Sequence, residues 1–310
     1  MRKFYSVLLI LLSITVGAVF LYSAYTKVYS THSLESFEFT MVEFVHLPWT
    51  MASLASRFFI GFEAALGALM VLHLFGRNNW VYKAAIALLT IFSIYLIYLW
   101  FSAGDKVNCG CFGDAIWMSP STSLLKNVIL IICLFILKRF HHGWRVWWNN
   151  LAAFLFLIAS IITPYITFPI PSQQPAWLQK SHFKLDLSAL YAPGKQDAPS
   201  FDLTKGKYII AFLSPTCPHC QMAAYKMHLM KERDPSLRFF MVLGGTHDLT
   251  EFWQITKATD IPYCRLDEKN FFRIAGFAWP VIDWVNNGWV EAQSTYVDLN
   301  QNGIESWLKK

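Results

Sequence analysis

Charge is scarce in this chain. Of its 310 residues only 15% are Asp, Glu, Lys or Arg, against about a quarter in an ordinary soluble domain. That scarcity excludes a disordered chain, which needs high charge and few apolar groups. It equally excludes a basic nucleic-acid-binding arm. Cysteine is sparse as well, and six in 310 residues is no small disulfide-stapled scaffold. What fills the space is apolar: 55% hydrophobic and 17% aromatic residues, with a mean hydropathy of +0.36. Over this length such values imply membrane spans joined to something soluble. The net charge of +6 is uneven, with +5 in residues 1–170 and +1 in residues 171–310. The excess therefore sits in the apolar half, where loop charges orient spans.

Five apolar runs predict five membrane helices, at about residues 4–26, 58–75, 84–104, 119–137 and 151–168. Roughly 20 apolar residues at 1.5 Å each cross a hydrocarbon core of about 30 Å. With the N-terminus in the cytoplasm, the inner segments carry Arg2, Lys3, Arg77, Lys83, Lys138, Arg139 and Arg145. The outer segments and span ends carry only Lys27, Arg57, Lys106 and Lys126. This bias follows the positive-inside rule and delivers the C-terminal half to the outer side. Trp100, Trp144, Trp147 and Trp148 gather near span ends as interfacial anchors. A cleaved signal peptide over residues 1–26 is the competing reading. The long run and the lack of a small-x-small cleavage site speak against it.

Pro164, Pro169, Pro171 and Pro175 break the helical pattern and predict a stiff linker. Beyond them charges become frequent and mixed. Short apolar runs at 208–214 and 237–243 read as strands, and 218–234 as a helix with Met222, Tyr225, Leu229 and Met230 on one face. Residues 249–259 read as a second helix. A hairpin over 280–285 and 289–292 turns at Asn286-Asn287-Gly288, and 303–309 reads as a terminal helix. The expected result is an α/β domain with a mixed sheet covered on both faces.

Cys217-Pro218-His219-Cys220 falls where a strand meets a helix. A thiol at a helix N-terminus faces unpaired backbone N–H groups and the positive dipole end, which favour thiolate. Cys217 is the expected attacking thiol and Cys220, one turn further in, the resolving one. Pro218 suits the first turn, and His219 can place a hydrogen bond or positive charge beside the Cys217 sulfur. A zinc site needs further ligands, and this half offers only Cys264, so no metal is expected. The second motif is Asn108-Cys109-Gly110-Cys111-Phe112-Gly113, between the third and fourth spans. Two thiols one residue apart close only a small ring, which makes their disulfide easily reduced. Gly110 permits the backbone that ring requires. The span count places this loop on the same side as Cys217 and Cys220.

Ser214-Pro215-Thr216-Cys217-Pro218-His219-Cys220 after a strand resembles the active site of the thioredoxin-like superfamily. Trp279-Pro280 stands where that family keeps a cis-proline beside its thiols. The resemblance implies a thioredoxin-like fold over about 180–310 and a role for Pro280 in shaping the substrate groove and stopping metal capture. Residues 5–140 resemble the methylamine-utilisation MauE proteins within the DoxX-like group. The resemblance rests on Cys109-Gly110-Cys111-Phe112-Gly113, Ser23 and Lys27, Leu47-Pro48, and Glu63. It implies a four-helix membrane bundle engaged in thiol–disulfide traffic. The expected organisation is therefore a MauE/DoxX-like membrane domain at 1–145, a fifth span and linker at 146–179, and a thioredoxin-like domain at 180–310.

Taken together these readings point to a thiol–disulfide oxidoreductase of the bacterial inner (cytoplasmic) membrane with its C-terminal domain in the periplasm. Its clients are exported cysteine-containing proteins, its surroundings membrane lipid, and it has no nucleic-acid partner. Lipid quinone is the candidate far electron partner. Two other classes stand beside this one: a dedicated assembly factor for one secreted enzyme, and a non-catalytic metal-handling membrane protein. Glu63 within a span is a candidate proton relay or a structural hydrogen bond. Lys27 and Arg57 are its partners or, more simply, headgroup contacts. His73 and His141-His142 read as interfacial or orienting residues. Cys133 reads as an apolar filler and Cys264 as a buried free thiol on a strand.

Overall fold

A computed structural model of the chain describes residues 2–29, 31–74, 79–113, 115–141, 149–170 and 179–310. It divides into two compact units, Met1–Ile170 and Pro171–Lys310. Arg77, His142, Trp144, Arg145, Trp147, Trp148, Pro171 and Pro175, singled out from the sequence, lie outside the described residues.

The first unit is helical: α1 (Arg2–Thr26), α2 (Thr31–Phe44), α3 (Trp49–Val71), α4 (Trp80–Ala103), α5 (Pro120–Phe140) and α6 (Asn149–Thr167). All but α2 are long and apolar enough to cross a membrane, which makes this a multi-pass membrane protein. Val16 and Phe20 of α1, Leu66 and Leu69 of α3, Leu88 of α4, and Leu134 of α5 share one buried core. Each of these helices turns one stripe inward. Outward-facing apolar side chains such as Ile94 and Leu125 stay exposed, as they do toward lipid. α1 and α3 cross where a Cβ on Gly17 would come within 2.7 Å of the Gly67 carbonyl, and one on Gly67 within 2.7 Å of the Gly17 carbonyl. Small residues at a crossing let membrane helices approach closely. α6 docks on α3 in the same manner, with Ser160 donating to the Gly61 carbonyl at 2.9 Å.

Two expectations are corrected here. Pro164 does not break the helix, because it lies inside α6 and its carbonyl accepts from Phe168 N–H at 3.0 Å. The chain also carries α2, which its three glutamates and weaker hydropathy hid from a search for apolar runs.

The second unit holds a six-stranded mixed sheet in the order β1-β6-β5-β2-β3-β4. Its strands are β1 (Gln179–Lys184), β2 (Lys207–Leu213), β3 (Phe239–Gly244), β4 (Tyr263–Leu266), β5 (Val281–Asn286) and β6 (Trp289–Ser294). β2, β3 and β4 are parallel neighbours, while β5 and β6 run antiparallel and form the expected hairpin. The helices are α7 (Pro218–Arg233), α8 (Thr250–Thr256), α9 (Glu268–Ala275) and α10 (Gln301–Leu308). Ile210, Phe212 and Phe240 face α9 through Phe271 and Ala275. The alternate residues Ile209, Ala211 and Met241 are also buried, so both faces are covered. On that second face Trp284 meets Trp307 of α10 edge to face at 5.3 Å. This is a thioredoxin-like arrangement, with β2 feeding α7 at the Cys217 motif. The buried face of α7 is carried by Ala223, Ala224, Met227 and Met230, whereas Tyr225, expected there, is only half-buried.

Candidate functional site

Two dithiol sites stand in the structure, one in each unit. In the second unit β2 ends at Leu213, and Cys217 N–H donates to the Ser214 carbonyl at 3.1 Å to close the turn into α7. Cys217 occupies the N-cap of α7 with Pro218 in the first turn. A proline belongs there because its missing N–H needs no partner. Cys217 is half-buried and Cys220, one turn on, fully buried. Burial pushes the Cys220 thiol well above the ordinary range. His219 is exposed, with its ring 5.5 Å from Tyr296. The Trp279–Pro280 peptide is cis. Trp279 and Ser214 line one small cavity with Phe271, Phe272, His247 and Glu268. Cys264 on β4 is fully buried in the core of this unit, where burial pushes its thiol up to about 12.

In the first unit the loop between α4 and α5 carries Cys109 and Cys111. Gly110 takes φ +68° and Gly113 φ +55°, a region that favours glycine. The Gly110 turn is held by the Asn108 carboxamide, which accepts from Gly110 N–H at 3.2 Å and Met118 N–H at 3.4 Å. The thiols differ. Cys109 is buried, with its sulfur 2.9 Å from the Ser123 hydroxyl and 3.2 Å from the Cys111 N–H that donates to it. Its hydrogen bond with Cys111, then burial, push its thiol upward. Cys111 is half-buried, and the hydrogen bond from Cys109, aided by the charges of Lys126 and Lys27, holds it below the ordinary thiol range.

Behind this loop lies a pair that the sequence showed only as separate residues. Lys27 Nζ is 2.6 Å from Glu63 Oε2, both buried, and also donates to Ser23 Oγ at 2.9 Å. Ser23 in turn donates to the Cys111 carbonyl at 3.0 Å. Lys27 is thus a partner of Glu63, not a headgroup contact. Arg57 pairs instead with Glu38 of α2 at 2.5 Å and donates to the Phe168 carbonyl at 2.6 Å. His141, read from sequence as an orienting loop residue, is buried with Nδ1 3.0 Å from the Tyr82 hydroxyl, and His73 packs edge-on against it at 5.4 Å. Cys133 is half-buried at the edge of the helical core.

Ser23, Lys27, Glu63, Cys109, Cys111 and Lys126 line one cavity of about 500 Å³. Sequence reasoning missed Tyr95 and α2, which line it, and Ser123, which sits against the Cys109 sulfur. Tyr95 and Ser123 lie on helical faces that only packing reveals. The signal available in the sequence was Ser23, four residues before Lys27 and so on the same side of α1.

Residues 5–139 match the family model of methylamine utilisation protein MauE, so the membrane half is MauE-like. Protein TlpB of Flavobacterium psychrophilum is 23% identical over 334 residues, a match that covers 89% of this chain and 88% of that protein. No solved structure matches the chain.

Proposed function

We propose that this protein is a membrane-bound thiol–disulfide oxidoreductase of the bacterial cytoplasmic membrane. Cys217 and Cys220 exchange electrons with exported cysteine-containing proteins, and Cys109 and Cys111 exchange electrons with Cys217 and Cys220. One observation carries the reading: each unit holds a dithiol of the same asymmetry, one half-buried thiol and one buried thiol. That is the division between an attacking and a resolving cysteine. Two crossings, α5 and α6, separate the Cys109 loop from the soluble unit, which supports one common side. A tether between two exchange sites raises their effective concentration to about the millimolar range.

In the oxidising direction a client thiolate attacks Cys217 in a Cys217–Cys220 disulfide and expels Cys220. A second client thiol then displaces Cys217, leaving an oxidised client and a reduced pair. Cys217 next attacks Cys111 in a Cys109–Cys111 disulfide. Cys109 leaves as a thiolate, with Ser123 and the Cys111 N–H placed to donate to its sulfur. Cys220 attacks Cys217 and frees Cys111, so two electrons and two protons have passed to the membrane pair. His219 within the motif and the small ring of Cys109 and Cys111 favour this direction over the reducing one.

The test is repeated turnover of a reduced client peptide by the full chain in lipid nanodiscs. The Cys109→Ser/Cys111→Ser variant is expected to oxidise a single equivalent of peptide and stop. Repeated turnover at the unmodified rate by that variant would remove the membrane pair from the reaction.

A further inference from the structure

The cavity behind Cys109 and Cys111 is built for a ligand of particular chemistry. Its walls are almost wholly apolar, supplied by α1, α2, α3, α4 and α5. Ile91, Ile94 and Tyr98 line it and are exposed on α4, within a membrane-crossing segment. The cavity therefore reaches the surface that faces lipid, and its ligand arrives from the bilayer rather than from water. At about 500 Å³ it lies within the usual range for small-molecule sites, roughly 300–1,000 Å³.

Among its few polar groups Tyr95 and Lys27 offer donors, while the Glu63 carboxylate is taken up by Lys27 and Ser23. The Tyr95 hydroxyl is buried with no hydrogen-bond partner among the described residues. An unmet buried hydroxyl is costly and calls for an acceptor. Lys27 spends two of its three N–H donors on Ser23 and Glu63 and keeps one. Phe37 and Phe92 lie 5.1 and 5.7 Å from the Lys27 ammonium, aromatic walls beside the charge. Both thiols line the same space, and Tyr95 packs in one cluster with Cys109 and Cys111.

We propose that this cavity binds a lipid-soluble quinone, whose ring oxidises the Cys109/Cys111 dithiol. The ligand must be apolar, present two acceptor oxygens to Tyr95 and Lys27, and take two electrons beside a dithiol. A quinone meets each condition, whereas a phospholipid, though its ester carbonyls can accept, takes no electrons from a dithiol. The step balances: two S–H bonds break and one bond forms between the Cys109 and Cys111 sulfurs. The two electrons enter the quinone ring, and the two protons end on its carbonyl oxygens. The resulting hydroquinol returns to the bilayer. The inference rests on the exchange reading above and supplies its terminal electron acceptor.

The test uses the full chain in phosphatidylcholine nanodiscs with decylubiquinone under anaerobic conditions. Saturable binding is expected, and the Cys109→Ser/Cys111→Ser variant should lose quinone reduction. With the reduced wild-type chain, each quinol formed should match one new Cys109–Cys111 disulfide in peptide mass spectra. Loss of the Tyr95 hydrogen bond in Tyr95→Phe should weaken binding by about threefold to tenfold. Leu130→Trp, which puts a larger ring in the cavity wall, should abolish binding in a chain that still unfolds cooperatively. Binding no greater than to empty nanodiscs overturns the proposal. So does binding indifferent to both substitutions, or a phospholipid adduct that decylubiquinone fails to displace. Quinone oxidation of Cys109 and Cys111 without electron transfer from Cys217 and Cys220 would leave this site standing and remove the exchange reading. The converse result would do the reverse.

Discussion

Cys109 and Cys111 are one glycine apart, yet they occupy opposite conditions. Both border the cavity, but Cys109 is buried against Ser123, while Cys111 is half-buried and under the influence of Lys126 and Lys27. Alkylation with iodoacetamide at neutral pH should therefore label Cys111 first and Cys109 only after unfolding. The Cys111 rate should already be high below the ordinary thiol range near about pH 8.5. Equal labelling of the two in peptide mass spectra would contradict this asymmetry. A second residue-scale prediction concerns Asp283 of β5, buried and accepting from Gln293 at 2.9 Å. Burial pushes its carboxyl from 3.8 up to about 6, with the Gln293 hydrogen bond opposing. Between those values the folded state holds more protons than the unfolded chain, so stability falls as pH rises through this window. Above pH 6 the penalty is complete, about 3 kcal/mol at 1.36 kcal/mol per unit. Asp283→Asn should raise the unfolding midpoint of the protein at pH 7.5 and change it little at pH 4; an equal gain at both would contradict the assignment.

At the scale of the helix and the strand, what could be read from sequence depended on whether the signal was local. The membrane helices declared themselves because lipid rewards a continuous apolar run, and the five runs lie on α1, α3, α4, α5 and α6. Cys217 at the start of α7 was legible for the same reason: the strand, the proline and the helical spacing are neighbours. What required packing stayed hidden. Lys27 and Glu63 are 36 positions apart, and only the α1–α3 crossing makes them a pair. β1, α2 and α9 were missed because each is short and mixed in polarity, and β1 finds its place through β6. The buried pair gives a prediction of its own. Glu63→Gln alone strands a buried ammonium and should cost about 3–5 kcal/mol. Adding Lys27→Met should recover most of that loss, because an apolar replacement of a buried pair is often neutral. Thermal unfolding in detergent checks it, and a double variant no more stable than the single one would assign the cost to something other than the stranded charge.

For the molecule as a whole, the fusion matters more than either half. A MauE-like membrane unit and a thioredoxin-like unit each carry an asymmetric dithiol, and the proposed exchange between them would be intramolecular in one chain. The most direct test removes both resolving cysteines, Cys109→Ser and Cys220→Ser, so that a mixed disulfide cannot be released. After mild oxidation of the full chain in membranes, proteolysis and mass spectrometry should recover a peptide joining Cys111 to Cys217. Its absence, with both thiols shown reactive toward the same oxidant, would contradict electron exchange between the two sites.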